Sequence, residues 1–334
     1  MTIPSPATPA FASASDTREQ RPRITQLAKG VYGYISDFDP NCGFIVGNES
    51  VVLVDTRPTP RMARDFLLDI RSVTDKPVKY IVLTHYHAVR VMGASAFGPD
   101  ATIIASRGTH DWIVTRGQAD FESEVDRFPR LFQGVEEIPG LVLPDISFTK
   151  ELTLWLDERE IRLSCLGRGH SQGDTVAYLP DCGVMFSGDL VENRCGVYAG
   201  DAYLHDWSQT LHAVDAMAPT TLVPGRGAVL QGLDACREAT ASTRSFIEAL
   251  LSNVSAGIEA GEDLRACYVR TDTAMRPIFG EWPLYQHVLP FGVSRAWDEL
   301  HGVEHPIVWT AERDQTLWQI LLDAPKAPAA TSVT

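Results

Sequence analysis

The residues best able to do chemistry lie in one heptapeptide, Thr84-His85-Tyr86-His87-Ala88-Val89-Arg90. It follows an apolar run, Tyr80-Ile81-Val82-Leu83. On an extended segment, side chains two positions apart point the same way. His85 and His87 can therefore present two imidazole nitrogens to one point, which is how a chain offers ligands to a metal ion. The bland alternative is a pair of surface histidines in a loop, and the heptapeptide alone does not decide between them.

The rest of the chain adds groups of the same kind. Apolar runs that read as strands end, one after another, in a polar residue set among small ones. Val51-Val52-Leu53-Val54 ends at Asp55, and the run from Ile161 leads into Gly167-Arg168-Gly169-His170-Ser171-Gln172-Gly173-Asp174. Gly183 to Ser187 ends at Gly188-Asp189, and Thr221-Leu222-Val223 ends at Pro224-Gly225-Arg226-Gly227. A sheet holds such side chains firmly while leaving them open to solvent, which is where α/β enzymes place reactive groups. Three histidines and one carboxylate, His85, His87, His170 and Asp189, suffice for a zinc site. A bound divalent ion lowers the pKa of its water from about 16 to about 7, giving hydroxide at neutral pH.

These groups need a scaffold. Gly30 to Ile35, Cys42 to Val46, Ala101 to Ala105, Leu152 to Leu156 and Thr175 to Leu179 read as further strands, with a turn at Gly47-Asn48. Met62, Phe66, Leu67, Ile70 and Val73 recur at helical spacing, so Arg61 to Val73 reads as an amphipathic helix. A second helix carries Trp207, Leu211, Val214 and Met217. Between residues 107 and 144 the pattern loosens into an aromatic stretch of mixed charge, helical in part over Ala119 to Phe132. It fits a lid over a pocket and an insertion packed on the core equally. From Gly232 to about Leu300 the chain reads as mostly helical, with an apolar stripe of Phe246, Ile247, Leu250, Leu251 and Val254. The stripe fits packing within the chain and a homodimer contact equally. The lone His287, in an aromatic setting, reads as a packed core residue.

Composition narrows the function. The chain has 334 residues, 44% hydrophobic and 22% charged, an ordinary globular balance with room for about two domains. Its 29 Lys+Arg against 43 Asp+Glu give a net charge of -14, which argues against a nucleic-acid or anionic-membrane partner. No apolar run approaches the roughly 20 residues of a membrane span. The six cysteines form no CxxC pair and read as reduced thiols of a cytoplasmic protein. The first 23 residues are rich in Pro, Ala, Ser and Thr and lack a signal peptide's basic start and apolar core. They read as a disordered tail.

Taken in order, the HxH of His85 and His87, the GHSxGD beginning at Gly169, the SGD beginning at Ser187 and the PGxG beginning at Pro224 resemble the metallo-β-lactamase superfamily. The Val-Leu-Val-Asp-Thr run before the first helix and Asp206-Trp207-Ser208-Gln209-Thr210-Leu211 strengthen the likeness, which covers Ile24 to Gly227. The helical run after Gly232 reads as a C-terminal extension, and for the part before it the resemblance implies an α/β fold, an αββα sandwich. It divides the chain into a tail (1–23), a metallo-β-lactamase-like domain (24–230, with 107–144 as a lid insertion), the extension (231–323) and a second tail (324–334). It also implies a first metal site of His85, His87, His170 and Asp189, with the aspartate as a bridge.

The departures from the family pattern carry the expectation about mechanism. The second site normally takes the Asp-His of HxHxDH and a histidine of PGHG. Those positions here are Val89, Arg90 and Arg226. Valine cannot ligate, and a guanidinium stays protonated and repels a cation. The expectation is one zinc ion per chain, with iron as the alternative. Hydroxide on that ion would attack an ester, lactone, thioester, amide or similar bond of a small anionic molecule. Asp189, Arg90 and Arg226 are the groups expected at the reacting centre. The two arginines would bind the substrate's anionic group or stabilise an oxyanion, or else pair with Asp55 and Asp189 and fill the missing site. Asp174 would orient the His170 loop. Tyr198 and Tyr203 would donate hydrogen bonds to substrate, with Cys195 and His205 nearby. Two other classes stay open. One is a mononuclear non-haem iron oxygenase built on His85, His170 and Asp189. The other is a degenerate member that only binds a ligand.

Overall fold

The computed structural model describes residues 20–322. Of the two expected tails, residues 1–19 and 324–334 lie outside the described residues.

Alternating and continuous apolar runs build two sheets. The first holds seven strands in chain order: β1 (Arg23–Ala28), β2 (Val31–Ile35), β3 (Cys42–Val46), β4 (Val51–Val54), β5 (Val78–Val82), β6 (Thr102–Ser106) and β7 (Ile146–Phe148). β1 to β4 pair antiparallel through short turns, and β4 to β7 pair parallel. Parallel neighbours need crossovers. The β4–β5 crossover is α1 (Pro60–Arg71), which starts where Thr59 Oγ1 accepts from Met62 N at 3.3 Å and Pro60 follows. A single turn, α2 (Ala88–Val91), follows His87, and α3 (Arg107–Arg127) crosses from β6 toward β7.

The second sheet is mixed. It comprises β8 (Glu151–Leu156), β9 (Arg159–Ser164), β10 (Val176–Leu179), β11 (Val184–Phe186), β12 (Thr221–Val223) and β13 (Leu230–Gln231), in reverse spatial order. α4 (Leu204–Ala216) joins the parallel pair β11 and β12. Four helices close the chain: α5 (Leu233–Glu259), α6 (Leu264–Phe279), α7 (Tyr285–Leu300) and α8 (Ala311–Leu322). No described helix is long and apolar enough to cross a membrane.

The core has three layers. Between the sheets, Ile45, Val52, Val54 and Val82 meet Ile161, Leu163, Ala177 and Phe186. Outside the first sheet, Phe66 and Ile70 of α1 and Trp112 and Ile113 of α3 pack with Phe44, Leu53 and Ile81. Outside the second, α4 to α8 share one apolar cluster with Met185 and Leu222. This is the expected αββα sandwich with its helical extension. The stripe of Phe246, Ile247, Leu250 and Val254 is buried within the chain, packed with Val288, Phe291 and Val293 of α7. His287 is also buried, between the rings of Phe128 and Phe291.

Two details tie the layers to the site. Gly43 has no room for a side chain, since a Cβ would fall 2.0 Å from Phe186 Cε1 on the opposite sheet. The stretch 107–144 begins as a helix that starts twelve residues before the expected Ala119, and α3 packs on the core by a stripe that includes Asp120, Ser123, Glu124 and Arg127.

Candidate metal centre

Parallel strand order brings the polar strand ends to one edge. β5 delivers His85 and His87, β11 delivers Asp189, β12 delivers Arg226, and the loop before β10 delivers His170. The ring nitrogens of His85, His87 and His170 lie within 4.8 Å of one another, and all three residues are buried. Asp189 Oδ2 is 3.7 Å from His85 Nε2 and 3.7 Å from His170 Nε2. The three expected histidine ligands thus converge, and Asp189 lies beside two of them.

The hydrogen bonds around the rings set which nitrogens face inward. Thr84 Oγ1 donates to Asp55 Oδ2 at 2.8 Å, so it accepts from His85 Nδ1 at 3.0 Å. His85 Nε2 is left pointing into the cluster, buried and without a hydrogen-bond partner. His170 Nδ1 donates to Tyr198 O at 3.0 Å, so its Nε2 also faces in. Burial pushes the imidazolium of His85 well below its ordinary range and that of His170 down to about 3. Both rings are therefore neutral at pH 7, as ligation requires. His87 differs. Burial works against its charge, but Asp120, Asp201 and Glu124 outweigh burial and raise it to about 9. Without an ion its Nδ1–H serves His170 Nε2 at 3.0 Å, and an ion would take that proton's place. The three nitrogens, one of them orphaned, fit three positions of a divalent ion, whose ligand nitrogens stand about 3.3 Å apart, and Asp189 beside them leaves room for a water in the remaining coordination.

The space beside this cluster holds guanidinium groups. Arg90 is 0% exposed. It donates to Asp189 Oδ1, to Asn41 O at 2.5 Å, to Gly225 O at 2.8 Å and to Asp55 Oδ2 at 3.5 Å. Arg226 Nη1 donates to Asp189 Oδ2 at 2.8 Å and to Glu192 Oε1 at 3.0 Å. Asp189 is thus clamped from both sides. Burial alone would raise its carboxyl, but Arg90 and Arg226 hold it well below the usual range. Asp55 is pushed up by burial, against Arg90, to about 6. Gly225 is required here, since a Cβ would lie 2.2 Å from Asp189 Oδ1.

Of the two roles open to the arginines, the structure displays pairing with Asp55 and Asp189. Arg90 reaches no open space. Arg226, 6% exposed, lines a crevice with His87, Asp189, Tyr198, Phe128, Leu284 and Val288. The crevice is narrow, with a volume of about 10 Å³, near the room one water needs. Tyr198 turns its hydroxyl to Asp201 Oδ2 at 3.2 Å. Tyr203 stands apart, in a surface cleft with Arg168 and His205, its hydroxyl on Gln172 and His305. Asp174 shapes the His170 loop by accepting from Ser171 N and Ser171 Oγ, at 2.9 and 2.5 Å. Cys195 is buried, its thiol against Pro283 O, and burial pushes it far up, so it is no nucleophile.

Sequence reasoning did not single out Asn41, Asp120, Glu124, Glu192 or Asp201. Asn41 Nδ2 donates to Pro224 O at 3.0 Å and Gly227 O at 2.9 Å, tying the Arg226 loop to the first sheet. Glu192 accepts from Arg226 N and Nη1. Its place three residues after Asp189 is a signal only once the loop geometry is known.

The comparisons agree with this geometry. The pattern of the metallo-beta-lactamase superfamily matches residues 35–226. A metallo-beta-lactamase type 2 of Bacteroides fragilis is 26% identical over 220 residues, covering 61% of this chain and 78% of that one. A linear primary-alkylsulfatase of Pseudomonas sp. (strain ATCC 19151) is 33% identical over 76 residues, but these are 21% of this chain and 14% of that one. In three dimensions the sec-alkylsulfatase Pisa1 from Pseudomonas sp. superposes with a TM-score of 0.65 at 16% identity, over 84% of this chain and 50% of that one. Sequence pattern, sheet order and the converging histidines lead to one assignment: the chain belongs to the metallo-β-lactamase superfamily.

Proposed function

We propose that this protein is a hydrolase of a small anionic molecule that works with a single zinc ion held by His85, His87, His170 and Asp189. The observation that carries the reading is the pair of guanidinium groups on Asp189. They put positive charge where the family's second ion would sit, while the first ligand set stays intact. A bound ion would supply a nucleophilic water at neutral pH.

The residues divide the remaining work. Asp55 orders Thr84, and Thr84 accepts from His85, which keeps that ring in the ligating tautomer. Arg90 acts through Asp189 and Asp55 as a positioning residue. Arg226 lines the crevice and is the cation nearest it that could attract an anionic substrate or a developing oxyanion. Phe128, Leu284 and Val288 give the crevice an apolar wall. The named relatives support a panel that includes a β-lactam and a linear alkyl sulfate beside esters, lactones, thioesters and amides.

The test is hydrolysis of that panel by zinc-loaded protein. Turnover of at least one member is expected, with a loss of about 100-fold or more in His85→Ala, as for a lost ligand-supported nucleophile. Zinc-loaded protein that is inert while iron-loaded protein consumes oxygen would instead make it an oxygenase.

A further inference from the structure

Behind His87, on the side away from the other two histidines, lies a buried group of carboxylates. His87 Nε2 is 3.2 Å from Asp201 Oδ2 and 3.9 Å from Asp120 Oδ1. Asp120 arrives from α3, and Asp201 from the segment between β11 and α4. Both are buried, 3% and 1% exposed. Each is fixed in turn. Asp120 Oδ2 accepts from Ala88 N at 2.8 Å. Asp201 Oδ2 accepts from Tyr198 Oη at 3.2 Å, and its Oδ1 faces Arg116 Nη1 at 3.6 Å, with that guanidinium stacked 4.0 Å over Trp112.

The geometry points to Asp201, assisted by Asp120, as the positioning residue that holds His87 Nε2–H and so presents Nδ1 to the metal. This deepens the one-zinc reading and rests on it. A ligating imidazole needs its second nitrogen tied down, or the ring loses its tautomer and its aim. His85 has Thr84 for this purpose and His170 has the Tyr198 carbonyl. Asp201 is the matching acceptor for His87. His87, Asp120 and Asp201 offer atoms within 4.8 Å of one another, the spacing of a cation site, but the cations Arg116 and Arg127 lie with Asp120, Glu124 and Asp201 and oppose an ion there. The role of these carboxylates is therefore orientation, not ligation.

The experiment is zinc titration of the metal-free full chain, with cobalt as a spectroscopic probe. Asp201→Asn is expected to weaken zinc binding by about 10- to 100-fold and to shift the cobalt ligand-field band, with the far-UV spectrum and melting temperature of the metal-free chain kept. Asp201→Glu should recover part of the affinity, and Asp120→Asn should lose less than Asp201→Asn because it stands farther from Nε2. Should Asp201→Asn fail to fold, the comparison of Asp120→Asn with wild type decides, a lowered affinity supporting the assignment and an unchanged one overturning it. Folded Asp201→Asn that binds zinc like wild type overturns the assignment and leaves the one-zinc reading standing. Two ions in wild type and one in Asp201→Asn would make the carboxylates ligands and overturn it too. A wild-type chain that takes up no zinc overturns both readings.

Discussion

Arg90 shows how one buried side chain can act as a structural link between two sheets. It joins Asn41 beyond β2, Asp55 beyond β4, Asp189 beyond β11 and Gly225 beyond β12, so it fastens strand ends from both sheets. Its planar fork matches these acceptors, and a lysine's point charge would not. The linkage has a cost if broken, because Asp55 and Asp189 would remain buried with less positive charge beside them. Arg90→Met is expected to destabilise the metal-free chain by about 3–5 kcal/mol in urea melts, the range for breaking a buried pair. A loss under about 1 kcal/mol would mean that the carboxylates are stabilised by other means.

At the scale of elements, the site depends on how closely the two sheets approach. Gly43 of β3 lies against Phe186 at the end of β11, three residues before Asp189. Gly43→Ala forces a methyl into that ring and is expected to cost about 1–3 kcal/mol by overpacking. Thermal or urea melting checks this, and an unchanged midpoint would contradict the tight approach. Most strands were legible because β-branched and aliphatic runs bounded by polar or small residues have few other readings, whereas the short or mixed β1, β7 and β13 were not expected. α1 was legible from Phe66 and Ile70 at helical spacing. α3 was legible only in part, and its burial pattern gives the reason. Thr109, Trp112, Ile113, Gly117, Asp120, Ser123, Glu124 and Arg127 face inward at helical spacing, but five of those eight are polar or charged. A periodicity read from apolar residues cannot find a helix whose inner face carries a charge network. Asp120 and Asp201 therefore carried no signal that the sequence alone could separate from other carboxylates. The three converging histidines and Asp189 were legible because their motifs occur in a fixed order. The pairing of Arg90 with Asp189 was legible as one of two alternatives, and only geometry placed both guanidinium groups on the carboxylate.

Across the whole molecule, the helical extension does more than cover the second sheet. α7 gives Val288, and the residue before it, Leu284, to the crevice wall, while α8 places Asp314 against Ser123 and Arg127 of α3. The crevice wall and the surroundings of Asp120 thus include residues beyond the superfamily match at 35–226. Against the net charge of -14, the proposed anionic substrate requires a local cation, and Arg226 lines the crevice although Asp189 and Glu192 share its charge. The central claim is that two arginines have replaced the second ion. It is tested most directly by counting zinc per chain in the full-length protein by native mass spectrometry after loading and removal of free metal. One zinc per chain is predicted, and two per chain would contradict it.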